Sequence, residues 1–206
     1  MNLTLYHYWR SSSSWRVRWA LEFKKLKPAY VHVDLLSGES EREPHLSRHP
    51  LGYVPVLNVD GRNLIESAAI IEWLDETQPA PVLYAGDAYD RAHIRSLVEV
   101  INADTQPIQN LNVVDYHTSD ALKRKQWMQH FIRRGLAAYQ KLAQSRAGRF
   151  SFGDRVTAAD LYLVPQIYNA LRFDVDLGEF PLLERINAEA LKTPEGQASH
   201  PDRFKP

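Results

Sequence analysis

The chain has 206 residues, enough for one large domain or two small ones, and for a core that needs no disulfides. Lys plus Arg equals Asp plus Glu, 25 of each, which argues against a nucleic-acid binder with its usual basic excess. There is no cysteine, so a disulfide framework and a zinc–thiolate centre are excluded, and no apolar run approaches the ~20 residues of a membrane span.

Met1 to Arg10 lacks a charged start followed by an apolar run, so no signal peptide is expected, and the chain reads as a soluble cytoplasmic protein. Leu3 to Tyr8 reads as a buried strand. A helix follows from about Ser12 to Lys25, with Trp15, Trp19 and Phe23 on one face, basic residues in its last turn, and Pro28 beyond. Tyr30 to Asp34 alternates as a second strand, and strand–helix–strand implies a parallel pair with a right-handed crossover. Ser37 to Arg48 is polar, with one short helical segment at most. Val54-Pro55-Val56-Leu57 starts a third strand, and Asp60-Gly61 is a hairpin signal that pairs Asn63 to Ile65 back antiparallel. Glu66-Ser67 opens a helix with Ala69, Ile70, Trp73 and Leu74 as its core stripe. This β-α-β, β-β-α order is that of a thioredoxin-like α/β domain over residues 1–80.

Gln78 to Pro81 is a linker, and residues 86–206 read as an all-helical second domain. Asp87 caps a helix with Asp90 at its third position. The stripe Ile94, Leu97, Val98, Ile101 continues through Ile108 and Leu111, with Asp104 and Thr105 on the same face. A carboxylate there calls for a cleft, a partner or an internal network, and Pro107 should kink or break the helix. A long helix spans about Ala121 to Gln144. Thr157 and Asp160 form an acidic variant of the capping box, with Val156 and Leu161 as the staple. Pro181 to Leu191 is the last helix, before a polar tail from Thr193.

The chemistry concentrates at Arg10-Ser11-Ser12-Ser13-Ser14-Trp15-Arg16-Val17-Arg18, between the first strand and the first helix. A helix N-terminus presents unpaired N–H groups and about half a positive charge, a seat for an anion. For a thiolate, lowering the pKa by two units takes about 2.7 kcal/mol. One charge-assisted hydroxyl bond supplies about 1.5–3 kcal/mol of that, and the helix end about 0.3–1 more. Without a cysteine in the chain, the thiol must come from a bound molecule. His45 and His49 stand at i, i+4, a zinc spacing on a helix, but no acidic partner completes the set and Pro50 ends any helix, so no metal site is expected.

Ser11 to Arg18 resembles the Ser-Ser-Cys-x-Trp-Arg-Val-Arg signature of zeta-class glutathione transferases, the family of the maleylacetoacetate and maleylpyruvate isomerases. The runs His49 to Pro55, Glu66 to Glu72, Thr105 to Leu111, Leu163 to Gln166 and Arg172 to Leu177 extend the resemblance over nearly the whole chain. The family Cys is Ser13 here, and His49 stands where the family mostly has Asn. The resemblance implies glutathione as the cofactor, a cis Val54–Pro55 bond, and Ser11, with Ser12 and Ser13, as the catalytic set. It implies further glutathione contacts from Ser14, Trp15 and Arg16 through their backbone amides, from Ser40, Val54, Glu66 and Ser67, and from Gln106, Asn110, Leu111 and Asn112. Arg10 and Arg172 are the implied cations for a small diketo dicarboxylate substrate. For Ser14 a plain capping role, and for Arg172 a surface salt bridge with Asp174 or Asp176, are the competing readings. A homodimer is implied, and neither nucleic acid nor membrane. The implied activity is glutathione-dependent cis–trans isomerisation. A conjugating transferase or peroxidase is the runner-up because of Ser13, and a non-catalytic binding module ranks below because Ser11, Glu66 and Ser67 are kept.

Overall fold

A computed structural model describes residues 1–206. Contacts divide the chain into two units: residues 1–82 together with 194–206, and residues 83–193.

The first unit is built on a four-stranded sheet: β1 (Leu3–His7), β2 (Ala29–His32), β3 (Val56–Val59) and β4 (Arg62–Ile65), in the order β2-β1-β3-β4. β1 pairs parallel with β2, Leu5 opposite Tyr30, and antiparallel with β3, Leu5 opposite Leu57. The crossover between the parallel strands is α1 (Ser12–Phe23). The β3–β4 hairpin turns at Asp60-Gly61, both at positive φ as a primed turn requires. β3 starts at Val56 rather than Val54, because Pro55 has no N–H for a ladder; the Val54–Pro55 bond is cis.

α1 does not present a single apolar face. Ser14 to Leu21 are buried throughout, because the sheet, α2 (Ser67–Thr77) and the tail helix α8 (Pro194–Ser199) all need covering. Its last turn also differs from a solvated basic end. Lys24 is buried, and its Nζ reaches Asp75 Oδ1 at 2.5 Å, Gln78 O at 2.6 Å and Pro81 O at 2.5 Å, tying α1 to α2 and the linker. The tail is structured: Trp15 Nε1 donates to Ser199 Oγ at 3.1 Å, and the Arg18 guanidinium lies 4.6 Å from the Phe204 ring centre.

The second unit is helical: α3 (Ala88–Asn102), α4 (Leu111–His117), α5 (Ala121–Ala143), α6 (Ala158–Arg172) and α7 (Pro181–Leu191). α6 is its central element, buried from Ala158 to Ile167 and packed against α3 and α7. Its first turn is held by Asp160, fully buried, whose carboxylate accepts from Ser151 N and Thr157 N, each at 2.8 Å. Burial pushes that carboxyl up against these lowering hydrogen bonds. The turn after α3 meets α5 at Gly135, where a Cβ would stand 2.0 Å from Thr105 Oγ1. The stripe of α3 stops at Ile101: the helix ends at Asn102, turns occupy 103–109, and a separate α4 begins at Leu111. Asp104 therefore lies exposed beyond the helix end, outside any internal network, and Leu111 is exposed too.

Candidate active site

Ser11 is the N-cap of α1, and its Oγ accepts from Ser14 N at 3.2 Å. That bond leaves the Ser11 O–H proton to donate outward and polarises it. Ser12 and Ser13 open the helix, half-buried beside it. The Ser14 amide donates to Ser11 Oγ and the Trp15 amide to Ser11 O at 2.9 Å. Ser14 Oγ accepts from Tyr8 N at 3.4 Å, closing the β1–α1 turn, and the Trp15 ring stacks 6.2 Å from that of Trp19 in the core.

Arg16 is buried and its Nη1 donates to Ser67 Oγ at 3.3 Å, so α1 and the start of α2 share one cation beneath a buried serine. Glu66, just ahead of α2, has φ 66° and ψ 116°, a conformation that costs a non-glycine residue about 1–3 kcal/mol. It turns the carboxylate out, 65% exposed, with Oε1 3.9 Å from His49 Nε2. Val54 lies outside the ladder, which begins at Tyr6 opposite Val56; its side chain packs with Tyr8 and Val33. Ser40 is buried in a one-turn 3₁₀ helix, Glu39–Glu41, and its carbonyl would meet a Cβ on Gly52 at 2.8 Å. Gly52, at φ +67°, is the one residue that lets the Ser40 turn and the loop before Val54 close on each other. Arg10 is half-buried, its guanidinium 5.3 Å from the Trp9 ring centre.

These first-unit residues are joined by bonds, but the sequence did not single out what lies under them. Arg18 is buried without a carboxylate partner; its Nη2 donates to Trp9 O at 2.9 Å and its Nη1 to Tyr8 O at 3.4 Å, directly behind Arg10 and Ser11. Burial lowers it to about 9, so it stays charged at neutral pH. Lys205 Nζ stands 5.7 Å from the same Trp9 ring. Arg18 was visible as the last letter of the motif; nothing in the tail signalled Lys205.

In the second unit, Asn110 is the N-cap of α4, its Oδ1 accepting from Asn112 N at 3.4 Å, while Asn112 and Leu111 are exposed. Gln106 is half-buried, with its N–H on Ile101 O at 2.9 Å. Arg172 is exposed and donates to Asn169 Oδ1 at 3.2 Å. Asp174 pairs with Lys125 at 2.6 Å, and Asp176 caps Gly178 N at 2.9 Å. An open hollow of about 570 Å³ on α5, lined by His130, Arg133, Arg134 and Glu179 among others, includes none of the expected site residues, and its Arg133 and Glu179 already pair at 3.0 Å.

Residues 5–82 match the family described as glutathione S-transferase, N-terminal domain, and residues 103–194 the corresponding C-terminal domain. The maleylacetoacetate isomerase of Rhizobium meliloti is 45% identical over 207 residues, covering 98% of this chain and 97% of that protein. The chain belongs to the zeta-class glutathione transferases. Among solved structures of this family, the maleylacetoacetate isomerase of Anaeromyxobacter dehalogenans superposes with a TM-score of 0.90 at 46% identity, covering 98% of this chain and 96% of that one. That structure holds glutathione in its active site, and a second structure of the same protein holds dicarboxyethyl glutathione and citrate. A bacterial zeta-class maleylpyruvate isomerase superposes with a TM-score of 0.93 at 36% identity, covering 96% of each chain. The zeta-class fold thus carries both the α/β and the helical half expected from the sequence.

Proposed function

We propose that this zeta-class transferase is a glutathione-dependent isomerase that converts maleylacetoacetate, a cis diketo dicarboxylate, to its trans isomer. The observation that carries the reading is Ser11: a helix-capping hydroxyl whose acceptor side is occupied by Ser14 N, leaving its proton for an anion at the start of α1. A chain without cysteine must take its thiolate from a bound molecule, and the residues here suit glutathione. Bound glutathione would supply a thiolate that adds reversibly to the conjugated double bond and departs after rotation, so that it is not consumed.

The chain's own residues bind and orient. Ser11 donates to the sulfur, with Ser12 and Ser13 beside it. Val54 offers N–H and C=O to the cysteinyl unit as an edge strand would. Ser67, backed by the buried Arg16 cation, receives the γ-glutamyl carboxylate at the start of α2, and Glu66 receives its ammonium. Ser40 serves the glycine end, and Gln106, Asn110, Leu111 and Asn112 complete the contacts. Arg10 and Arg172 hold the substrate carboxylates. A homodimer working in the cytoplasm completes the proposal; no helix is long and apolar enough to cross a membrane.

Ser13 in place of the family cysteine favours a second reading, conjugation of glutathione to an electrophile. One assay separates the two: isomerisation of maleylacetoacetate, with maleylpyruvate in parallel, followed together with thiol concentration. Product that forms only with glutathione and without thiol loss is expected. Thiol consumed in step with the electrophile would replace isomerase with transferase.

A further inference from the structure

His49 lies in the turn that leads to Val54, and its ring is 2% exposed. Leu51 N donates to His49 Nδ1 at 3.3 Å, so in the neutral ring Nδ1 is the acceptor and Nε2 carries the proton. That Nε2–H faces Glu66 Oε1 at 3.9 Å, across seventeen residues of chain. The turn has a second histidine of the same tautomer: His45 Nε2 lies 2.8 Å from Tyr53 O, which can only accept, while His45 Nδ1 is buried without a partner. The two rings fix both ends of the segment between Leu51 and Tyr53.

We infer that His49 is a positioning residue for glutathione: its ring holds the turn carrying Val54 through Leu51 N and faces the Glu66 carboxylate, and its protonation state sets how strongly that carboxylate attracts the glutathione ammonium. The inference rests on the proposed role of Glu66. When the ring is neutral, it leaves the full negative charge of the carboxylate for the ligand. When it is protonated, an imidazolium competes for the same carboxylate and repels the ammonium, and the Nδ1–H loses the Leu51 N–H bond that holds the turn. The groups facing His49 are Glu66 from the start of α2, His45 from its own turn, and the Tyr53 ring at 5.6 Å; Arg48 is engaged over the Tyr6 ring, 4.2 Å from its centre. Burial, then His45, lower the His49 pKa while Glu66 raises it, and the lowering prevails, so the neutral form is the working one at neutral pH.

Titration of glutathione into wild type, His49→Asn and His49→Leu by calorimetry between about pH 4.5 and 7.5 tests this, since the buried ring titrates below the ordinary imidazole value of about 6.5. At the upper end Asn, which keeps an acceptor for Leu51 N, binds within about 2-fold of wild type, whereas Leu binds about 3- to 10-fold more weakly, the size of one lost polar contact. Toward the acid end the wild-type Kd rises and that of His49→Asn stays flat. With saturating glutathione at the upper pH, His49→Leu loses less in kcat than in the KM for glutathione, so the effect sits in KM. Parallel pH curves for wild type and Asn overturn the inference while leaving the function standing. Wild type that binds no glutathione removes both. If His49→Leu fails to give the wild-type near-ultraviolet dichroism, the comparison of wild type with Asn decides alone.

Discussion

At the scale of single residues, the thiolate seat rests on Ser11, and the hydrogen-bond arithmetic fixes what its removal does. A hydroxyl bond to a charged group contributes about 1.5–3 kcal/mol. Ser11→Ala should therefore lower kcat/KM for isomerisation by roughly 10- to 150-fold, and raise the pKa of bound glutathione as read from thiolate absorbance. The same change removes the N-cap and should cost about 1 kcal/mol of stability, whereas Ser11→Thr keeps cap and hydroxyl and should retain most of the rate; equal loss in both variants would count against the hydroxyl's role. Ser11 was legible because capping, dipole and signature all fall on consecutive residues. The Glu66–His49 pair was not, because seventeen positions separate the two and only the fold brings them to 3.9 Å. A sequence shows that amides near a helix start lack helical partners, but not that Ser11 takes those of Ser14 and Trp15.

Elements follow from local chemistry wherever the signal is local. Asp60-Gly61 made its hairpin, Asp87 and Asp90 made their capping box, and Pro107 fell in the break between α3 and α4. Where a tertiary contact decides, periodicity misleads. α3 stops at Asn102 although its apolar stripe runs on, because Thr105 leaves the helix to bury itself against Gly135, its Oγ1 on Val100 O at 2.6 Å. The glycine is required there by close approach rather than by φ. Gly135→Ala places a methyl 2.0 Å from Thr105 Oγ1 and should destabilise the helical unit by about 1–3 kcal/mol, the range for overpacking. Thr105→Ala alone loses one hydrogen bond, about 1 kcal/mol. Combined with Gly135→Ala it should cost less than the sum, because it removes two of the three clashing atoms. Urea unfolding of the four members of the cycle reads the coupling directly, and strict additivity would mean that α3 and α5 simply move apart.

The whole molecule shows what composition and pattern hide most completely: the chain returns. Residues 194–206 read as a polar tail, yet they pack with the first unit, because α1 and β1 leave a buried cation and a buried imidazole that need covering. Arg18 Nη1 lies 3.2 Å from His7 Nδ1, Arg18 Nε donates to Ser199 O at 3.3 Å, and the Phe204 ring stands 5.6 Å from His7 and 4.8 Å from Tyr30. An acceptor facing a guanidinium must be neutral, and burial, then the Arg18 and His32 charges, lower His7 to about 3. The sign of the consequence is fixed by linkage. Between the ordinary imidazole pKa of about 6.5 and the folded value, the unfolded chain binds a proton at this position that the folded chain refuses, so stability is present above that window and is lost as pH falls through it. One such group contributes a slope of about 1.4 kcal/mol per pH unit. His7→Asn keeps an acceptor for Arg18 but cannot titrate, so its unfolding free energy should fall less steeply from pH 6 to pH 4, by about one proton's worth. Removing residues 194–206 should flatten the same limb by hydrating His7, and should lower stability at neutral pH, where His7→Asn costs little. Urea titrations across that range, followed by the fluorescence of Trp15 and Trp19, compare the three proteins. If all three keep the same acid slope, the tail is not what holds His7 neutral, and the proton uptake on unfolding belongs to another group.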